Sequence, residues 1–324
     1  MSRSREAGIA LAGPADLDEL EARFLDWGNE RSDVRAVLIL GSRARVDHPA
    51  DEWADVDFAI AVKDPERYMD NRGWLKAIGP VAACYRDPNP GGATLHTLFA
   101  SGVHADFGFL PVATARQAVT FLPWVRRLAP LLNRLPGSIA SGLEQQVQEG
   151  GAYLRRGTRT IIDKDGLAER FLALFPPAPG NSARLSEHDF TEAVNEFWFN
   201  TVWIAKHLRR GELWWATREG WGAHLLPILL RMIEWRSKAT HGFDYETWQQ
   251  GRFLEEWAEP RVVARIRHSY PAYDPDGAWE SLLEIMNLFR ELAHDTADGL
   301  GLTYPTEADA LATGQVTKMH AERD

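Results

Sequence analysis

The sequence predicts an α+β chain: a mixed β-sheet flanked by helices in the first half, followed by an α-helical bundle. Three observations carry this reading. Up to residue 162, short apolar runs with period two are bounded by turn residues, as strands are. Beyond Pro176-Pro177-Ala178-Pro179-Gly180-Asn181, a stretch of linker composition, apolar residues recur at helical spacing. Nine of the 13 Trp lie after residue 190, so the second half is built differently from the first. The expected domains are 1–175 and 176–324, and 324 residues suffice for two.

In the first half, Leu17, Leu20, Phe24 and Leu25 predict a helix over 15–31, with Asp16 as its cap. Val37-Leu38-Ile39-Leu40 reads as a buried strand, broken by Gly41-Ser42-Arg43. A second strand spans 55–62. Its period of two puts Asp55, Asp57, Ala59 and Ala61 on one face and Val56, Phe58, Ile60 and Val62 on the other. Asp64-Pro65-Glu66 starts a helix expected over 64–78, and 88–92 reads as a loop. Strands at 94–99 and 103–110 meet at a Ser101-Gly102 turn, with Asp106 on the same face as His104 and Gly108. An amphipathic helical pattern covers 114–155, and a strand at 159–162 ends in the turn Asp163-Lys164-Asp165-Gly166. An EF-hand loop is rejected there because Leu174 stands where its closing Glu belongs.

In the second half, Ser186 and Asp189 open a helix running to about Arg210. Phe190, Val194, Phe197, Trp198, Thr201, Ile204, Ala205 and Leu208 form its buried stripe. Asn195, Phe199, Val202 and Lys206 form a second stripe, with Glu196, Asn200, Trp203 and His207 beside it. Polar groups interleaved with aromatics suit a wall that binds sugars or amines. Further helices are expected over 223–239 and 277–298, with the last fifteen residues loose.

The chemistry concentrates in residues 37–62. Two carboxylates on one strand face repel each other and are costly to desolvate, and a divalent cation removes that penalty. Hard cations such as Mg²⁺ take oxygen ligands and share their shell with substrate phosphate. Gly41 lets backbone N–H groups approach an anion, while Ser42 and Arg43 can donate to phosphate oxygens. An Asp pair beside a phosphate clamp provides what nucleotidyl transfer requires. Asp106 reads as a third carboxylate that binds metal or accepts the proton of an attacking hydroxyl.

Composition narrows the classes. A net charge of −10 argues against a nucleic-acid groove and is compatible with a cationic substrate. The single cysteine, Cys84, rules out an internal disulfide and any Cys-based metal knuckle. The N-terminal residues carry no long apolar core of a signal peptide, and no apolar run approaches membrane-span length. The expectation is a cytoplasmic monomer with no membrane or nucleic-acid partner.

At this point the residues resemble a family, the aminoglycoside 6-adenylyltransferases of the nucleotidyltransferase superfamily. The likeness is carried by Gly41-Ser42-Arg43, Asp55-Val56-Asp57-Phe58, Asp106, Asp163-Lys164-Asp165-Gly166, Asn195-Glu196-Phe197-Trp198, Ala205-Lys206, Met232-Ile233-Glu234-Trp235 and Tyr304-Pro305. It implies an N-terminal nucleotidyltransferase domain, a helical substrate-binding domain and an active site in the cleft between them. It also implies transfer of AMP from ATP to a hydroxyl of streptomycin, of the 6-position type, with two Mg²⁺ ions, as in antibiotic resistance. On that resemblance Asp55, Asp57 and Asp106 would be catalytic and bind metal. Gly41, Ser42, Arg43 and Lys206 would hold the nucleotide. Asn195, Glu196 and Trp198 would meet the cationic drug. Two alternatives stand beside it: transfer to another small-molecule or protein hydroxyl, and a catalytically silent nucleotide- or drug-binding relative.

Overall fold

The computed structural model describes residues 13–89, 92–132, 151, 154, 157–175 and 184–323. The chain divides into two compact units, Met1–Pro177 and Ala178–Asp324. The linker stretch 176–181 and most of 133–156, within the expected helical pattern, lie outside the described residues.

The first unit opens with α1 (Pro14–Asn29). Asp16 acts from inside its first turn rather than as the cap: the Gly13 backbone N–H donates to its carboxylate at 2.8 Å. At the other end the Lys164 ammonium donates to the carbonyls of Gly28, Asn29 and Arg31, at 3.1, 3.1 and 2.6 Å. A cation there satisfies carbonyls that a helix end leaves without partners. The other acids of the Asp163–Gly166 turn are also structural. Asp163 accepts from the backbone N–H groups of Leu167 and Glu169, and Asp165 pairs with Arg35 and Arg116.

Strands β1 (Val34–Leu40), β2 (Val56–Val62), β3 (Val81–Asn89), β4 (Gly92–Phe99), β5 (His104–Pro111) and β6 (Thr158–Asp163) form one sheet in the order β3-β4-β5-β2-β1-β6. Among the described residues only the β2–β5 pairing in it is parallel. The expected 64–78 helix is two pieces: α2 (Pro65–Asp70) and a 3₁₀ segment over Arg72–Ala77, with the Asn71 side chain capping the second. The expected 88–92 loop is mostly strand, since Pro88, Asn89 and Gly92 belong to β3 and β4. Pro88 is tolerated there because β3 is an edge strand.

The two faces of the sheet carry different cores. One is aromatic: Phe24, Trp27, Phe58, Tyr68, Trp74, Phe107 and Phe109 interlock, with the Phe58 and Phe107 rings stacked at 5.3 Å. The other is lined by small residues such as Ala36 and Ala61, which meet α3 (Val112–Leu132) and α4 (Leu167–Leu172).

The second unit is helical. Its α5 (Glu187–Arg209) starts at Ser186, whose hydroxyl accepts from Asp189 N–H at 3.0 Å. Every residue of its expected buried stripe is buried. A π-helical stretch, Ala216–Leu225, leads into α6 (Leu226–His241). Then come α7 (Leu254–Trp257), α8 (Pro260–Ile266), α9 (Pro275–Leu300) and α10 (Thr306–Ala321). Phe197 of α5 stacks on Phe289 of α9 at 3.6 Å in the middle of this core.

The last fifteen residues are therefore not loose, because α10 contains most of them. Its apolar stripe is weak. Ala312 and Val316 reach the core, and Asp309 ties the helix down further, accepting two 2.7 Å bonds from Arg290, one from the Tyr304 hydroxyl at 2.9 Å and one from Thr313. Burial works against the Asp309 carboxylate, yet these donors outweigh it and hold its pKa below the usual carboxylate range. A depressed carboxylate contributes stability above its unfolded pKa, about 3.9, and loses it as pH falls below that value. Asp309→Asn should cost about 2–3 kcal/mol at pH 7. In melts followed by circular dichroism, the gap between variant and wild type should close below about pH 4.

Candidate active site

The parallel pairing of β2 with β5 sets Asp57 opposite Asp106. The antiparallel pairing of β4 with β5 sets His96 opposite Asp106 on the other side. Leu40, the last residue of β1, is the register partner of Asp57. One transverse row therefore reads His96, Asp106, Asp57, Leu40, and the Gly41 turn leaves directly from its end. Asp57 and Asp106 are each partly exposed, while their strand neighbours Val56, Phe58, Ala105 and Phe107 are buried in the aromatic core. Asp55 lies just before β2 and is exposed.

The turn is shaped around Asp57. Gly41 has φ +71°, a left-handed conformation, and a Cβ there would stand 2.9 Å from an Asp57 carboxylate oxygen. Only glycine meets both conditions without strain. The Gly41–Arg43 segment is a single 3₁₀ turn, closed by Ala44 and Arg45 N–H groups donating to the Gly41 carbonyl. The Ala50 N–H donates to the Ser42 carbonyl and returns the following loop to the turn. From behind, Gly41 N–H donates to Gly157 O at 3.2 Å.

Arg43 ends this turn, and its guanidinium lies on Asp18 at 2.5 Å and Glu21 at 3.1 Å, both on α1. Burial works against the cation, but the two carboxylates outweigh it and raise its pKa. On β5, Asp106 accepts a 2.8 Å hydrogen bond from His96 Nδ1. The other ring nitrogen lies 3.6 Å from Asp87, and Tyr85 stacks on the imidazole at 4.8 Å.

In the helical unit, Asn195 and Lys206 line one groove of about 480 Å³ with Phe199, Val202 and Trp203. Trp198 forms its floor, and its buried indole N–H is committed to the Tyr304 hydroxyl at 3.0 Å. Glu196 is exposed on the adjoining stripe, 3.7 Å from Arg231. Beside it the Trp203 ring meets His207 at 4.5 Å and His224 at 5.6 Å.

Among the described residues, no group of three or more His, Cys, Asp or Glu converges as a ready-made metal cage. Mg²⁺ does not ask for one, because it takes one or two carboxylates and completes its shell with water and substrate phosphate. Paired carboxylates with hard oxygen donors, packed against a glycine that leaves them room, fit that ion.

Two residues of the site escape a reading by pattern. His96 looks like one polar position on an alternating strand, and only strand pairing reveals its neighbour. Gly157 looks like an ordinary break before β6, but a Cβ on it would come within 2.7 Å of the Arg45 backbone N. Gly157→Ala should force the turn away from its seat and cost about 1–3 kcal/mol, read as a lower melting temperature.

Comparison with known proteins places the chain in a family. The family model described as streptomycin adenylyltransferase matches residues 16–318. An aminoglycoside 6-adenylyltransferase of Bacillus subtilis is 22% identical over 294 residues, covering 87% of this chain and 90% of the relative. One from Campylobacter jejuni is 23% identical over 296 residues, covering 87% and 88%. The crystal structure of an aminoglycoside 6-adenyltransferase from Bacillus subtilis covers 94% of this chain and 97% of its own, with 19% identity and a TM-score of 0.41. The family match spans both units, and the chain belongs to the streptomycin adenylyltransferase family, a nucleotidyltransferase class of enzyme.

Proposed function

We propose that this enzyme transfers AMP from ATP to a hydroxyl of an aminoglycoside, with streptomycin and its 6-position as the preferred acceptor. The observation that supports this most strongly is the register that sets Asp57 beside Asp106, one residue from the Gly41 turn. The matched relatives are named aminoglycoside 6-adenylyltransferases.

The residues divide the work as follows. The backbone N–H groups of Ser42 and Arg43 and the Ser42 hydroxyl bind the triphosphate, as glycine turns suit close approach to an anion. Arg43, drawn onto Asp18 and Glu21, holds the turn against α1. Asp55, Asp57 and Asp106 would hold two Mg²⁺ ions. When bound, these ions neutralise phosphate charge and lower the pKa of the acceptor hydroxyl. Asp106 also lies where it can accept the hydroxyl proton. The acceptor oxygen attacks the α-phosphorus, the bond to the bridging oxygen breaks, and pyrophosphate leaves. In the helical unit, Lys206 lines the same groove as Asn195 and supplies its ammonium there. Asn195 and Glu196 offer an amide and a carboxylate to a polycationic acceptor, with Trp198 as the floor of the wall.

The test is pyrophosphate release from ATP and Mg²⁺ against a panel of aminoglycosides and lincosamides. Release with streptomycin supports the whole reading. Release only with another compound replaces the acceptor, and no release with any of them refutes the activity. Asp57→Asn should abolish release, a loss of at least about a thousandfold, while the melting temperature holds or rises as like-charge repulsion is relieved. Raising salt from about 50 to about 300 mM should increase the acceptor KM several-fold, because screening weakens attraction between a polycation and an acidic protein.

A further inference from the structure

We infer that His96 is a positioning residue for Asp106, fixing which carboxylate oxygen faces the metal and the acceptor. The inference rests on the functional reading above and names a residue which that reading does not use. His96 and Asp106 are register partners on adjacent antiparallel strands, so the backbone itself delivers the contact. A carboxylate only accepts hydrogen bonds, so Nδ1, at 2.8 Å from Oδ1, carries the proton whatever the charge of the ring. Oδ1 is thereby committed to the histidine, and Oδ2 is left for a cation or for the acceptor proton.

The imidazole is itself held on two further sides. Tyr85 stacks on its face with the planes 22° apart, and Asp87 lies 3.6 Å from Nε2. Both belong to β3, the edge strand, where no core packing requires an aromatic or an acid. The order Asp87, His96, Asp106 runs from the sheet edge toward Asp57. Groups behind a metal ligand set its orientation, and losing one typically costs ten- to a hundredfold in metal affinity or activity.

Three variants of the full chain decide the matter: His96→Ala, His96→Gln and His96→Asn. The Asn amide N–H can occupy the place of Nδ1, whereas the longer Gln carries its amide toward the place of Nε2. Two readouts are used: Mn²⁺ titration followed by electron paramagnetic resonance, without nucleotide, and steady-state pyrophosphate release. The expected result is that Ala and Gln weaken Mn²⁺ binding and lower kcat by about tenfold or more, with the KM for ATP within about twofold of wild type. Asn should recover most of both losses. Equal behaviour of Gln and Asn overturns the inference. So does wild-type Mn²⁺ affinity in a folded Ala variant, or a wild-type protein that binds no Mn²⁺. If Ala does not fold, the Gln–Asn comparison still decides. If wild type releases no pyrophosphate with any acceptor, the functional reading fails, while the Mn²⁺ titration still judges His96.

Discussion

The parallel register of β2 with β5 is the constraint on which the rest of the first unit depends. It places Asp57 and Asp106 one strand spacing apart, about 4.8 Å, on the same face. Two unit charges at that distance repel by on the order of 3 kcal/mol at an effective dielectric constant of about 20. A fold selected for stability alone would not keep them. The surrounding structure answers that repulsion. His96 donates to Asp106, Gly41 gives Asp57 room that no other residue would leave, and an interlocked aromatic core fixes both strands from the opposite face. Slipping either strand by one residue would send its carboxylate into that core.

The two faces of the sheet divide the labour. Phe24, Phe58, Trp74 and Phe107 pack ring against ring and leave the strands little freedom to slide. The opposite face is built from Ala36, Leu38, Ala59 and Ala61 under α3 and α4, which cover the strands beyond the acidic row. Small residues bring the helices close over half of that face, while Asp57 and Asp106 stay partly exposed at its end. The turn at Gly41 sits at the same end, so anion-binding N–H groups and cation-binding oxygens share one border of the sheet.

Much of this was legible in the sequence where the signal is local. The alternation in Asp55–Val62 gave the faces correctly, because period two follows from strand geometry alone. The α5 stripe was legible for the same reason at helical period. What was not legible depends on partners far away in sequence. Strand β3 is exposed along nearly its whole length, so it carries no alternation to find. Helix α10 buries Asp309, Ala312 and Val316, a stripe too weak to read, and is held by a charge pair to Arg290 in another helix. The position of Trp198 beneath Tyr304 needs a residue 106 positions away to explain it.

The same distinction explains why His96 was invisible and Asp106 was not. A carboxylate on an otherwise small and apolar strand is conspicuous by composition. A histidine two residues from Thr94 is not, because polar residues are ordinary on the open face of an antiparallel pair. Its meaning comes only from the ladder, which counts outward from the Ser101-Gly102 turn: Leu98 to His104, Thr97 to Ala105, His96 to Asp106. A turn one residue longer would set Leu95 or Thr97 opposite the carboxylate and turn the imidazole to the other face of the sheet. The hairpin turn, remote from any substrate, thus sets the partner of a residue at the centre of the site.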